Sequence, residues 1–170
     1  MMVRPAADEA GDFHFRYINQ VPDGDIRGLL QAQLTEALAD FERVSEERSA
    51  YRYAPDKWSI REVVAHMSDT ERVFAYRALW FARGFDTPLP GFDQDVAAAS
   101  AGAHDRSWRS LVGEFRNVRH ATLSLFQDLP AAAWSRRGVA SNHPITVRAL
   151  AYVIAGHVAH HLTVLRERYD

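Results

Sequence analysis

The sequence predicts an all-α fold, a four-helix bundle in up-down-down-up order. Two observations carry this. Apolar residues recur at three- and four-residue steps in four segments of roughly 20 residues, while no segment shows a strong strand pattern. The connection between the second and third segments, about 20 residues rich in Gly, Pro and Asp, is long enough to cross a whole bundle. Antiparallel neighbours need only about 2–8 residues.

The first helix is marked by Ile26, Leu30, Leu34, Ala37, Leu38, Phe41 and Val44, after a turn-forming cluster at Pro22, Asp23, Gly24 and Asp25 that supplies an acidic cap. The second begins at a capping box, Ser59-Ile60-Arg61-Glu62, with Trp58 and Val63 at hydrophobic-staple positions. Its apolar face runs through Val64, Met67, Phe74, Ala78 and Phe81 until Gly84 offers a C-cap. The third spans about Asp105 to Gln127, on a stripe from Trp108 through Phe115 and Val118 to Phe126, and Pro130 ends it. The fourth spans about Thr146 to Arg168 through Val147, Leu150, Ile154, Val158 and Leu165. Between these last two, residues 138–144 carry a weak hairpin signal.

Composition narrows the function classes. At 170 residues, with 47% hydrophobic and 25% charged, the chain buries about 70% of its surface on folding and reads as one domain over 1–170. There is no internal repeat, low-complexity tract or linker. No run of 18 apolar residues exists and the N-terminal stretch carries acids, so the expected location is the cytoplasm, with no membrane partner. Cysteine is absent, which excludes disulfides, thiolate nucleophiles and cysteine-ligated metals. A formal charge of −2 offers no field for nucleic acid. Lys57 is the single lysine among 20 basic residues, which genome composition explains more simply than phosphate recognition.

The histidines carry the chemistry. Wound at about 100° per residue, the fourth helix places His161 in its apolar stripe and His157 about 40° away, while His160 falls about 100° from His161 at the edge. An i, i+4 pair presents two ring nitrogens to one ion. His66 flanks the apolar face of the second helix, roughly 10 Å from its start, and His157 and His161 lie about 16 and 10 Å before Arg168. If the two helices are antiparallel, the depths match and three His meet at one end of the bundle. Three imidazoles leave positions for water or substrate, so the set is of the catalytic type; the alternative is three hydrogen-bonded core histidines.

Two stretches, KWSIREVVAHMSDTERVFAYR (57–77) and GHVAHHLTVLRERY (156–169), resemble the DinB/YfiT-like superfamily. YINQVPDGDI (17–26), TPLPGFDQD (87–95) and EFRNVRHATLSLF (114–126) are similar to its DinB-like branch, so the resemblance spans nearly the whole chain in order. It implies an up-down-down-up bundle, a divalent metal held by His66, His157 and His161, and a homodimer. It also implies a small-molecule substrate. Relatives include bacillithiol S-transferases and a mycothiol-dependent maleylpyruvate isomerase, in which the metal activates a low-molecular-weight thiol, alongside proteins described only as metal-dependent hydrolases or damage-inducible proteins. The expected function is therefore metal-dependent thiol S-transfer, with hydrolysis second. The competing reading is a non-catalytic, dimeric, stress-associated scaffold that binds metal. Three imidazoles suit Zn, Ni, Fe and Cu alike.

Glu71, His160 and Arg77 are the candidate catalytic residues. Glu71 winds to the centre of the second helix's apolar stripe, where an unpaired carboxylate is expensive. An Arg from another helix is its expected partner, and support of the metal ligands or proton transfer is the sharper alternative. His160 suits a substrate hydrogen bond, a dimer contact or a half-exposed position. Arg77 suits a substrate carboxylate or an ordinary salt bridge. Asp69 reads as a surface group, and His14, His104, His120 and His143 as surface or loop residues.

Overall fold

The capping signals set the helix starts in a computed structural model that describes residues 3–169. Helix α1 spans Asp12–Ile18, α2 Ile26–Glu42, α3 Ile60–Ala82, α4 Gln94–Ser100, α5 Trp108–Gln127 and α6 Val147–Arg168, with strands β1 (Arg137–Ala140) and β2 (His143–Thr146) between α5 and α6. The capping box of α3 is complete: Ser59 Oγ accepts from the backbone N–H of Glu62, whose carboxylate accepts from the Ser59 N–H at 2.7 Å. Ser107 and Thr146 cap α5 and α6 in the same way, accepting from Ser110 and Ala149. Asp25 stands at the N-cap of α2, but its carboxylate turns to Arg27 instead. The third predicted helix begins three residues later than expected, because Ala103–Asp105 forms a separate 3₁₀ turn.

Side-chain contacts fix the helix directions. Gln33 on α2 donates to the Ala155 carbonyl on α6, and Arg166 further along α6 pairs with Asp40 further along α2, so these helices run parallel. Arg119 of α5 reaches the Leu30 carbonyl while Trp108, near the start of α5, donates to Phe41 near the end of α2, so α2 and α5 are antiparallel. The Tyr169 hydroxyl just past α6 donates to the Trp58 carbonyl just before α3, which makes α3 and α6 antiparallel. The four long helices α2, α3, α5 and α6 therefore run up, down, down, up, with α3 and α5 parallel.

Two helices were not expected. At seven residues each, α1 and α4 are too short to show a helical period. Helix α1 packs on the outer face of α6, so Ala149–Val158 is buried all round rather than on one stripe. The approach is close because residue 156 is glycine: a Cβ there would lie 2.0 Å from the Tyr17 carbonyl oxygen. The hairpin forms with its turn at Ser141 and Asn142, both at positive φ (54° and 63°), the geometry of a two-residue type I′ turn. Leu89 in the α3–α4 connection bonds to this hairpin through Val139 and Ser141, which brings the long loop over one end of α3.

Candidate metal centre

His66 sits two turns into α3, and His157 and His161 sit one turn apart on α6. The antiparallel packing brings them together: Nε2 of His157 lies 3.0 Å from Nε2 of His66 and 3.1 Å from Nε2 of His161. Ligands about 2.0–2.1 Å from one ion stand about 3.3 Å apart in a tetrahedral arrangement and about 2.9 Å apart at right angles. The observed spacings fall at that scale. A neutral imidazole has one N–H, so these converging nitrogens cannot all satisfy one another as hydrogen bonds. Their lone pairs form a donor set for a cation.

The surroundings keep the rings neutral. Burial pushes His66 down to about 4. Burial, followed by the neighbouring His66 and His160, pushes His161 down to about 3. His157 lies well below its ordinary value, through burial first and then His161 and His66. Thr70 Oγ1 lies 3.3 Å from Nδ1 of His66, positioned to take that proton and leave Nε2 as a ligand atom. Trp58 packs on the His66 ring at 4.8 Å between centroids and Tyr17 on the His157 ring at 5.4 Å, so apolar walls hold both rings in place.

The other candidates separate. Both oxygens of Glu71 accept from Arg119 on α5 at 2.8 Å, with both side chains essentially inaccessible. This is the expected partner on another helix, and it engages the carboxylate away from the three histidines. His160 is half-buried against Tyr17 and lowered by burial. Arg77 departs from the salt bridge expected as its simpler reading: it is 5% exposed, and its Nη2 donates to the Pro90 carbonyl and Ser141 Oγ, neither of them charged. Its acceptors come from the long loop and the hairpin turn, which the sequence did not bring together. Asp69 is half-exposed and pairs with Arg72. His104 and His120 lie at the surface and His143 is exposed on β2, but His14 is buried within α1, contrary to its reading as a surface or loop residue.

Two cavities are lined by members of the cluster. One of about 280 Å³ ends at His157 and is walled by α1, the middle of α3, Phe92 and the hairpin turn. The other, of about 330 Å³, ends at His160 and His161 beside Trp58 and Gln20. Arg16, Tyr17 and Gln94 line both. The three shared wall residues lie on α1 and α4, and sequence reading passed over them as a site, although Tyr17 and Gln94 fell within stretches carrying the family resemblance.

The model of the DinB superfamily matches residues 29–165. The chain belongs to the DinB superfamily. No curated protein matches the sequence. Among solved structures, this DinB-superfamily chain is similar to YfiT from Bacillus subtilis, described as a probable metal-dependent hydrolase with an unusual four-helix bundle topology. The two share 16% identity at a TM-score of 0.64, over 95% of this chain and 91% of that one. At that identity the likeness is one of fold. No helix among the described residues is long and apolar enough to cross a membrane.

Proposed function

We propose that this protein is a metal-dependent enzyme acting on small molecules, with His66, His157 and His161 holding one divalent cation through their Nε2 atoms. The observation that carries the reading is the convergence of three neutral, buried imidazole nitrogens at 3.0 and 3.1 Å. A divalent ion there supplies Lewis acidity and lowers the pKa of a water or thiol. The chain's own residues do the rest. Trp58 and Tyr17 fix the ligand rings, Thr70 holds the His66 proton on Nδ1, and burial keeps protons from competing for the lone pairs.

Transfer of a low-molecular-weight thiol to an electrophile is the leading reaction. Two reactants must meet in such a transfer, and the two cavities, which share Tyr17 as a wall, offer one place beside His157 and another beside His160 and His161. His160, at the second cavity, is positioned to hydrogen-bond the reactant that enters there. Hydrolysis, the activity named for the similar YfiT structure, is the second reading and needs one cavity only.

Elemental analysis of untagged protein purified without a nickel column tests the site. About one equivalent of a divalent metal is expected in the wild type, lost in His161→Ala with helical circular dichroism retained. Metal-free protein that takes up none on reconstitution would overturn the assignment. A screen of thiols against electrophiles then tests the reaction. Metal removal that lowers Tm without affecting any turnover would favour the scaffold reading.

A further inference from the structure

The cavity that ends at His157 holds a feature the metal site does not use. Arg77 on α3 is a buried cation with no buried anion to match. Its Nη2 is taken up by Pro90 and Ser141, while Nε and Nη1 have no protein partner among the described residues. Burial alone pulls its proton affinity below the ordinary value, and no carboxylate contributes. The other buried arginine of α3, Arg61, pairs with Glu46, and the buried Arg119 pairs with Glu71. Arg77 departs from that pattern, in a cavity lined by two arginines and three histidines and by no Asp or Glu.

Arg16, the second cation, is exposed; its guanidinium stacks 3.8 Å from the Phe13 ring and donates to the Tyr17 hydroxyl. Neither cation meets an acid among the described residues, and Arg77, the buried one of the two, faces a small space whose remaining walls include Phe74, Val73 and Phe92. A guanidinium removed from water is stabilised best by a carboxylate, which takes two parallel N–H donors. The aromatic walls suit an apolar body attached to the charged group. Arg77 lies eleven residues after His66 on the same helix, about 16 Å of rise. Arg77 and the His157 ring both line the cavity.

We propose that Arg77 is a substrate-anchoring residue, and that this cavity binds the carboxylate of a small, largely apolar or aromatic monoacid and directs its far end toward the three histidines. The inference rests on the enzymatic reading for its role in turnover, but binding at Arg77 does not require the metal. Ser141 and Pro90 hold the guanidinium from outside, so the hairpin turn and the long loop act as the rim of the acid-binding end.

The test uses phenylacetate and its neutral isostere phenylacetamide, titrated calorimetrically into the full-length protein, both as purified and after chelation. Phenylacetate is expected to bind in both forms and more tightly than the amide, with Kd raised about 10–100-fold in Arg77→Gln. Arg77→Lys is expected to recover part of that loss, and amide binding to change little. Because Arg77→Gln could disturb the fold, the Arg77 Nε–Hε resonance of ¹⁵N-labelled wild type is followed in parallel; it is expected to shift and saturate with phenylacetate. Four results would overturn the proposal: no binding of phenylacetate, equal binding of acid and amide, an unmoved Arg77 resonance, or tighter binding of inorganic phosphate. Binding lost on chelation alone, without dependence on Arg77, would place the acid on the metal instead and equally overturn it. A protein that binds no metal yet shows Arg77-dependent binding would leave this site standing and remove the metal reading.

Discussion

Glu71→Gln and Arg119→Met test what the buried pair between α3 and α5 contributes. Both side chains are essentially inaccessible, and the contact is two-pronged at 2.8 Å for each bond. Removing one partner strands the other charge in the interior, at a cost of about 3–5 kcal/mol. A domain of this size is stable by about 5–15 kcal/mol, so either single variant loses a large share of its stability. Replacing both, as Glu71→Leu with Arg119→Met, removes both charges and is expected to cost much less than the sum. It does not reach zero, because Arg119 also donates to the Leu30 carbonyl and Gln33 Oε1, two further hydrogen bonds worth about 0.5–1.5 kcal/mol each that the double variant loses. Urea unfolding followed by circular dichroism reads this as a shift in midpoint at constant slope. Single variants costing under about 1 kcal/mol, or a double variant costing the full sum, would refute the assignment of Glu71 to a structural pair.

Two further outcomes follow from the same reasoning. Gly156→Ala is expected to destabilise by about 1–3 kcal/mol, since its Cβ meets the Tyr17 backbone, whereas Gly113→Ala, with open space around it, should gain about 1 kcal/mol from helix propensity. Thermal melts of the two variants check this, and a stabilised Gly156→Ala would contradict the close α1–α6 contact. For pH, burial alone would push the Glu9 carboxyl up, but bonds from Arg148, the Ala6 N–H and Thr146 outweigh it and hold it below the ordinary 4.5. A carboxyl lowered in the folded state stabilises above the unfolded value, and that contribution fades as pH falls from about 4.5 through the folded value. Glu9→Gln should therefore destabilise by about 1–3 kcal/mol at pH 7 and by less at pH 3, read from urea midpoints; an equal loss at both would contradict the reading.

Much of the bundle was legible because its signals are local. The capping box at Ser59 and the 3.6-residue period each involve residues within a few positions, so one sequence states them. The His66, His157 and His161 cluster was legible for a related reason. Helical winding sets which way each ring points, and rise per residue sets its depth, so only the antiparallel pairing of α3 with α6 had to be supplied.

The salt bridge expected for Arg77 and the surface position expected for His14 failed for the opposite reason. The surroundings of both residues come from segments far apart in sequence: Pro90 in the α3–α4 connection, Ser141 in the hairpin turn, and α1 laid across α6. By itself the sequence determined the four long helices, the capping box of α3 and the inward face of the three histidines, because period and capping are nearest-neighbour physics. Only the tertiary structure decided that Glu71 meets Arg119, that Arg77 meets no acid, and that two cavities share Tyr17 as a wall. Those outcomes depend on which chain segments are close in space, and no local pattern encodes the partner of a buried charge.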